Sequence, residues 1–273
     1  PIGQWQPLPG PYGHITTVLG KHNGYLYSSN NFSQIYDGIY RTNNNGNTWT
    51  NVSAGIAKPY ASSFASLGGN LFTCSDTNVY MSTNNGNTWT IVNGNLPAYS
   101  FVRRLVVHNA ILFAAVYNIA GYEEVFYTSN NGTTWNSTGF TTSTINDLYS
   151  DGNNLWLCGS NASVYVSNNN GISWTLKAGN IAFSYNVTCI AMKGDTGYCG
   201  TGNYLYMTTD GGNLWWPQSG NLPSQPNVWD IYLDGNNVYV GMLNGGVYKE
   251  TIAGTTWNSF GTGLPNYEGA FSI

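Results

Sequence analysis

The sequence predicts an all-β chain folded as a β-propeller of four-stranded antiparallel blades. Three observations carry that expectation. An eight-residue segment ending in Trp recurs six times, and its Trp residues stand 40, 46, 39, 41 and 42 positions apart. No stretch sustains the 3.6-residue apolar period of an amphipathic helix. A period of about 40–45 residues is the length of four short strands with their turns, which is one propeller blade.

The six segments are Thr42–Trp49, Ser82–Trp89, Thr128–Trp135, Ser167–Trp174, Thr208–Trp215 and Glu250–Trp257. Gly46, Gly86, Gly132, Gly171, Gly212 and Gly254 share one register position, where a tight turn requires a positive φ. Two residues earlier stand Asn44, Asn84, Asn130, Asn169 and Asp210, short side chains able to accept hydrogen bonds from turn amides. Trp49, Trp89, Trp135, Trp174, Trp215 and Trp257 then open the outermost strand and are expected to pack onto the blade interface. Within a repeat the remaining strands are equally legible. In the fourth, Ile145–Tyr149 precedes the turn Asp151-Gly152-Asn153-Asn154, followed by Leu155–Cys158, Val164–Ser167 and the strand from Trp174. Asp-Gly and Asn-Gly steps between alternating apolar residues are hairpin signals.

The pattern Ser/Thr-x-Asp-x-Gly-x-Thr-Trp resembles the Asp-box, or BNR, repeat of sialidases, sortilin-like receptors, xyloglucan-degrading glycosidases and photosystem II assembly factors. The likeness covers nearly the whole chain. It implies a propeller in which the box is a peripheral hairpin with an architectural role. This sequence departs by placing Asn at the acidic position in four boxes, Asp only at Asp210, and Ile252 in the last.

The whole chain is expected to form a single domain, with repeats spanning about 10–53, 60–93, 100–139, 143–178, 185–219 and 227–261. Trp5, in Gln4-Trp5-Gln6-Pro7-Leu8-Pro9, matches the strand after a box, and Glu268–Ile273 follows a Leu-Pro connector where each repeat places its innermost strand. Six repeats flanked by two fragments predict seven blades, the last split between residues 1–9 and 266–273; six blades are the alternative. An open seventh blade would also offer its edge to self-assembly or to a strand from a partner chain.

Composition narrows the function. Charged residues make up 7% of the chain, against about 25% in ordinary globular domains. Aromatics reach 15% and the net charge is −4, which argues against disorder. No apolar run reaches the length of a membrane-spanning helix. Eight basic residues, with Arg103-Arg104 as their one adjacent pair, do not make a phosphate-binding stripe, so nucleic acid is not an expected partner. The first residues carry no signal-peptide pattern. The Asn-rich, low-charge style resembles secreted proteins of Bacteroidetes-like bacteria and places the chain outside the cell or on its surface.

Catalytic candidates are few. The sialidase resemblance implies three arginines around an acidic sugar, yet Arg41, Arg103 and Arg104 are the only arginines, and two are neighbours on one strand. A two-carboxylate glycosidase is the better enzyme alternative, with Asp147 and Asp230 at matching positions on innermost strands. The competing expectation is that these acids bond main-chain groups or a neighbouring blade. His14, His22 and His108 show no metal-ligand spacing, and no cofactor or metal is expected. Cys74, Cys158 and Cys199 are expected at equivalent second-strand positions, while Cys189 and Cys199 flank a turn and are candidates for a cross-strand disulfide.

Aromatics outside the repeat consensus suggest a binding face. Tyr12, Tyr60, Tyr99, Tyr122, Tyr185, Trp216, Trp229 and Tyr267 fall mostly in or near connectors between the outer strand of one repeat and the inner strand of the next. Tyr and Trp beside Asn and Thr suit sugar rings. The expectation is therefore a non-enzymatic binding or assembly propeller for a glycan or protein surface. Glycoside hydrolysis is the alternative, and a structural subunit of an extracellular assembly is a third reading.

Overall fold

The computed structural model describes residues 18–29, 38–243 and 245–260. These form six four-stranded sheets, each an antiparallel meander. The first comprises β1 (Val18–His22), β2 (Tyr25–Ser29), β3 (Ile39–Thr42) and β4 (Thr50–Asn51); the second β5 (Ser63–Leu67), β6 (Asn70–Ser75), β7 (Asn78–Ser82) and β8 (Thr90–Ile91). The third holds β9 (Phe101–His108), β10 (Ile111–Tyr117), β11 (Glu123–Thr128) and β12 (Asn136–Thr142). The fourth holds β13 (Ile145–Ser150), β14 (Leu155–Gly159), β15 (Val164–Ser167) and β16 (Thr175–Leu176). The fifth is β17 (Val187–Lys193), β18 (Thr196–Thr201), β19 (Leu205–Thr208) and β20 (Trp216–Pro217), and the sixth β21 (Val228–Asp234), β22 (Asn237–Met242), β23 (Gly246–Thr251) and β24 (Asn258–Ser259). The chain packs as two compact units, one carrying β1–β12 and the other β13–β24.

These sheets are propeller blades, and there are six. The expectation of seven is corrected: every repeat supplies all four strands of its own sheet in sequence order, so no blade among the described residues is composite. Trp5 and residues 266–273, which motivated a split blade, lie outside the described residues. Strand addition to an open seventh blade falls with it.

The boxes show why Asn replaces Asp without loss. Thr42 Oγ1 accepts the Gly46 N–H at 3.1 Å and donates to Asn44 Oδ1 at 2.8 Å. The same Asn44 oxygen accepts the Thr48 N–H at 3.0 Å. In the fifth box Asp210 Oδ1 does both jobs, for Thr208 Oγ1 at 2.8 Å and Leu214 N–H at 3.0 Å. One acceptor oxygen is all the turn uses, and an amide provides it. Two successive left-handed residues turn the chain, Asn45 and Gly46 at φ 56° and 83° in the first box and Gly211 and Gly212 at 67° and 80° in the fifth. The sixth box differs. Glu250 stands where the others have Ser or Thr, Ala253 takes φ 61°, and Gly254 is not left-handed. A Cβ on Gly254 would collide with the Glu250 carboxylate folded beneath it, so this glycine makes room for an acid.

Between blades of one unit, the box Trp closes the interface. Trp135, Trp215 and Trp257 are at most 2% exposed. Short polar side chains tie the innermost strands together. Ser63 Oγ donates to Leu105 O at 3.2 Å, Asn146 Nδ2 to Val187 O at 2.7 Å, and Thr188 Oγ1 to Val228 O at 2.5 Å. Four innermost strands carry a β-bulge, with Arg103, Asn146, Thr188 and Trp229 as the extra residues. A bulge re-aims the side chain it adds; at Asn146 and Thr188 that side chain bonds the next blade.

The cysteine expectations need two corrections. Cys74 and Cys158 do share a position, opposite Val79 and Val164, but Cys199 stands one residue earlier and pairs with Tyr206. The β17–β18 hairpin sets Cys199 opposite Ile190 and Cys189 opposite Gly200. Neighbouring positions on paired strands point to opposite faces. Cys189 accordingly packs with Val228 and Val240, and Cys199 with Trp156 and Val164. None of the four cysteines forms a disulfide, and all four are buried.

Candidate functional site

Antiparallel topology gives each blade two ends. The boxes and the turns between first and second strands lie at one end. The connectors and the loops between second and third strands lie at the other.

The two candidate acids take matching places in their sheets, Asp147 opposite Cys158 and Asp230 opposite Gly241, each directly after a bulge. Asp147 Oδ2 accepts the Ile190 N–H of the next innermost strand at 3.2 Å. Asp230 Oδ1 accepts the N–H of Ile231 at 2.9 Å. Burial drives the Cys189 thiol well above its ordinary pKa, and the Asp230 and Asp147 charges add to the rise. Both acids therefore bond main chain, with the neutral thiol of the intervening blade beside them. Arg104 directs Nη1 to Ser62 O at 3.1 Å.

Within each unit the described candidate aromatics stand on different elements. In the unit of β1–β12, Tyr60 is half-buried in the connector after β4, Tyr99 is 80% exposed at φ 61°, and Tyr122 sits in the β10–β11 loop. In the unit of β13–β24, Tyr185 lies in the connector after β16. Trp216 departs from the connector expectation. It lies on the outermost strand β20, opposite Met207 and 58% exposed. Trp229 is the bulge residue of β21. Tyr12 and Tyr267 lie outside the described residues.

A concave site does form at the connector end of the fifth and sixth blades. It is a cleft of about 450 Å³, and its lining includes Tyr204 from the β18–β19 loop. One wall is the connector of residues 219–226, which contributes Ser219, Leu222, Pro223, Ser224, Gln225 and Pro226. Tyr204 is held by two edge-type ring contacts, to Tyr185 at 5.6 Å and to Tyr206 at 5.9 Å. Thr201 Oγ1 accepts the Tyr204 N–H at 2.9 Å and fixes the loop beneath it.

The wall is pinned at both ends. Asn221 bonds both main-chain groups of Trp257, accepting its N–H at 2.7 Å and donating to its carbonyl at 2.8 Å. Asn227 N–H donates to Gly202 O at 3.1 Å, while Asn227 O accepts the Leu243 N–H at 3.0 Å. Between these anchors Gln225 adopts φ 53° immediately before Pro226. A left-handed non-glycine residue costs about 1–3 kcal/mol and clusters at ligand sites. Two prolines limit the conformations the wall can reach. Among the described residues, the side chains of Asn203, Ser224 and Gln225 make no hydrogen bond within the protein.

Sequence reasoning passed over Tyr204, though a signal existed. At the position before the first buried aliphatic residue of the third strand, the first, second, fourth and sixth blades carry Gly38, Asn78, Ser163 and Gly246. An aromatic there is an outlier of the repeat.

Among the described residues no group of three His, Cys, Asp or Glu side chains is placed to hold a metal, and no helix is long and apolar enough to cross a membrane. No protein-family model and no curated protein matches the sequence. Solved structures do match in fold. YCF48 bound to D1 peptide aligns with a TM-score of 0.67 at 13% identity, over 92% of this chain and 83% of that one. An ancestral GH74 enzyme aligns with a TM-score of 0.76 at 22% identity, over 94% of this chain but 40% of its own. The extracellular domain of a candidate one-component system from B. thetaiotaomicron aligns with a TM-score of 0.69 at 15% identity, over 88% and 34%. At these identities the shared property is the propeller fold.

Proposed function

We propose that this chain is a non-enzymatic binding propeller that works outside the cell and receives a glycan or a polypeptide at the connector end of its blades. The observation that carries this reading is the separation of acid from cleft. Asp147 and Asp230 bond main-chain N–H groups on the innermost strands, whereas the described residues that line the cleft, from 203–204 and 219–226, are amides, hydroxyls, prolines, a glycine, a leucine and one tyrosine. Retaining or inverting glycosidases need two carboxylates facing the same bond. A cleft without carboxylates orients a ligand but has no group to protonate or attack it.

The structural neighbours support binding outside the cell without fixing the ligand, since one is described with a peptide and another as an extracellular domain. The test is binding of the purified chain to glycan and peptide arrays, alongside a reducing-sugar assay on neutral polysaccharides. The Asp147→Asn, Asp230→Asn double variant is expected to bind as the parent does, with no sugar released by either. Sugar release by the parent that disappears in the double variant overturns the reading in favour of hydrolysis.

A further inference from the structure

The geometry points to a neutral saccharide as the ligand of the cleft, and we propose that Tyr204 is the platform on which a sugar ring stacks; this rests on the binding function argued above. Concave sites of about 300–1,000 Å³ with few placed polar groups are typical of small-molecule recognition, and about 450 Å³ lies at the small end of that range. Tyr204 is 38% exposed, with its ring orientation fixed by Tyr185 and Tyr206. A rigid tyrosine offers apolar contact area at little entropic cost.

Polarity selects the class of ligand. Asn203 and Gln225 carry amides that both donate and accept, and Ser224 a hydroxyl that does the same. A sugar hydroxyl also does both. Amide side chains around an aromatic ring therefore match a polyol without demanding one orientation of its protons.

Charge argues against an anionic ligand. No arginine or lysine is among the described residues that line the cleft. The lysines of this unit are committed elsewhere. Lys177 Nζ donates to Asn213 Oδ1 at 2.5 Å, Lys193 Nζ to Gly235 O, and Lys249 sits over the Tyr239 ring at 5.2 Å. An acidic sugar, a phosphate or a peptide carboxylate would be desolvated here with no counter-charge. A cationic ligand fares no better, because no carboxylate is among the described residues that line the cleft.

The preformed wall supports the same assignment. Asn221 and Asn227 hold its ends and the two prolines stiffen its middle, so little ordering remains to oppose a small, weakly binding ligand.

The experiment is calorimetric titration of the full chain with four neutral probes: cellotetraose, laminaritetraose, mannotetraose and maltotetraose. Tetragalacturonate and a capped Ala-Pro-Ala-Pro-Ala peptide serve as comparison ligands. At least one neutral tetrasaccharide is expected to bind, with both comparison ligands at least about tenfold weaker. Tyr204→Ala and Tyr204→Leu are each expected to weaken that binding about tenfold or more, and Gln225→Ala by several-fold. Leu214→Ala, in the box at the opposite end of the fifth blade, is expected to leave it unchanged. The Leu variant keeps apolar volume against Tyr206, so a folding defect of the Ala variant, read from its melting curve, does not decide the matter. Binding of a tetrasaccharide that ignores both Tyr204 variants overturns this subsite but not the binding function. Peptide binding that is lost with Tyr204, without saccharide binding, overturns the ligand class alone. If no probe and no array ligand binds, the binding function itself falls.

Discussion

The indole N–H of Trp215 donates to the main-chain carbonyl of Lys177 at 2.7 Å, across the interface between two successive blades. The relationship recurs as Trp89 to Val52 at 2.7 Å, Trp135 to Val92 at 2.9 Å and Trp257 to Gln218 at 3.1 Å. In each case the acceptor is the third residue after the preceding box Trp. The main-chain N–H of the same Trp is received by an Asn of the connector: Asn95 for Trp135, Asn180 for Trp215 and Asn221 for Trp257. The box Trp is thus a two-point clasp on the previous blade as well as a core residue.

The clasp predicts a graded loss of stability. Trp215→Phe keeps most of the buried ring but leaves the Lys177 carbonyl unmatched, and is expected to cost about 1–3 kcal/mol. Trp215→Ala adds a cavity and is expected to cost about 3–5 kcal/mol. Asn180→Ala, which removes only the connector bond, is expected near 1 kcal/mol. Urea unfolding of the three variants measures all of these. A Phe variant as stable as the parent would leave the indole bond without energetic weight.

The acids on the innermost strands give a prediction that separates structure from catalysis. Asp147 Oδ2 serves Ile190 N–H, and an amide oxygen can take over that bond. Asp147→Asn is therefore expected to stay within about 0.5 kcal/mol of the parent, and Asp147→Ala to lose about 1–2 kcal/mol. A residue needed for its charge would fail equally in both variants. Equal losses of stability in Asn and Ala would show that the carboxylate charge, rather than one acceptor oxygen, is what the fold uses.

What could be read from the sequence follows the range of the interactions. Box glycines and their Asn partners were legible because the turn is closed within five residues, as Thr42, Asn44 and Gly46 show. The blade count was not, because Trp5 and Leu264-Pro265 match pieces of a repeat in sequence, whereas each of the six sheets among the described residues takes all four strands from its own repeat. The proposed Cys189–Cys199 pairing failed on register. A two-residue loop at Gly194-Asp195 sets Cys199 against Ile190, and a shift of one position sends two side chains to different blade interfaces. Tyr204 escaped notice for another reason. Its importance depends on a wall sixteen to twenty-two residues further along, at Gly220–Pro226, and on the ring of Tyr185.

Burial makes the thiols inert. Desolvation pushes Cys74 up to about 12, and drives Cys199 and Cys189 well above the ordinary thiol value. The thiolate is the reactive form. A disulfide-exchange reagent at pH 8 is expected to titrate no thiol in the native chain and all four after denaturation. Rapid reaction of one native thiol would show that its blade interface opens on the time scale of the assay.

His22 predicts the acid side of the stability profile. It ends β1 and is 3% exposed, with Nδ1 2.6 Å from Ser66 Oγ on the next blade. The Asn23 amide lies 3.0 Å from Nε2 and gives its other proton to Asn85 Oδ1 of the neighbouring box at 3.0 Å. His108 and Asn109 repeat the contact at 3.1 Å. With an amide donor at Nε2, the ring is an acceptor there and carries its proton on Nδ1. Burial lowers the His22 pKa from its ordinary value of 6.5, outweighing the opposing bond to the Gly69 main chain. Between the lowered native pKa and 6.5 the unfolded chain holds more protons than the native one, so stability rises with pH across that window. The contribution is complete above 6.5, is lost progressively as the pH falls below it, and levels off once the native imidazole is also protonated. Melting temperatures are therefore expected to fall between pH 7 and pH 5, and His22→Gln to flatten part of that slope, so that the variant compares better with the parent at pH 5 than at pH 7. An unchanged slope in the Gln variant would assign the acid sensitivity to other groups.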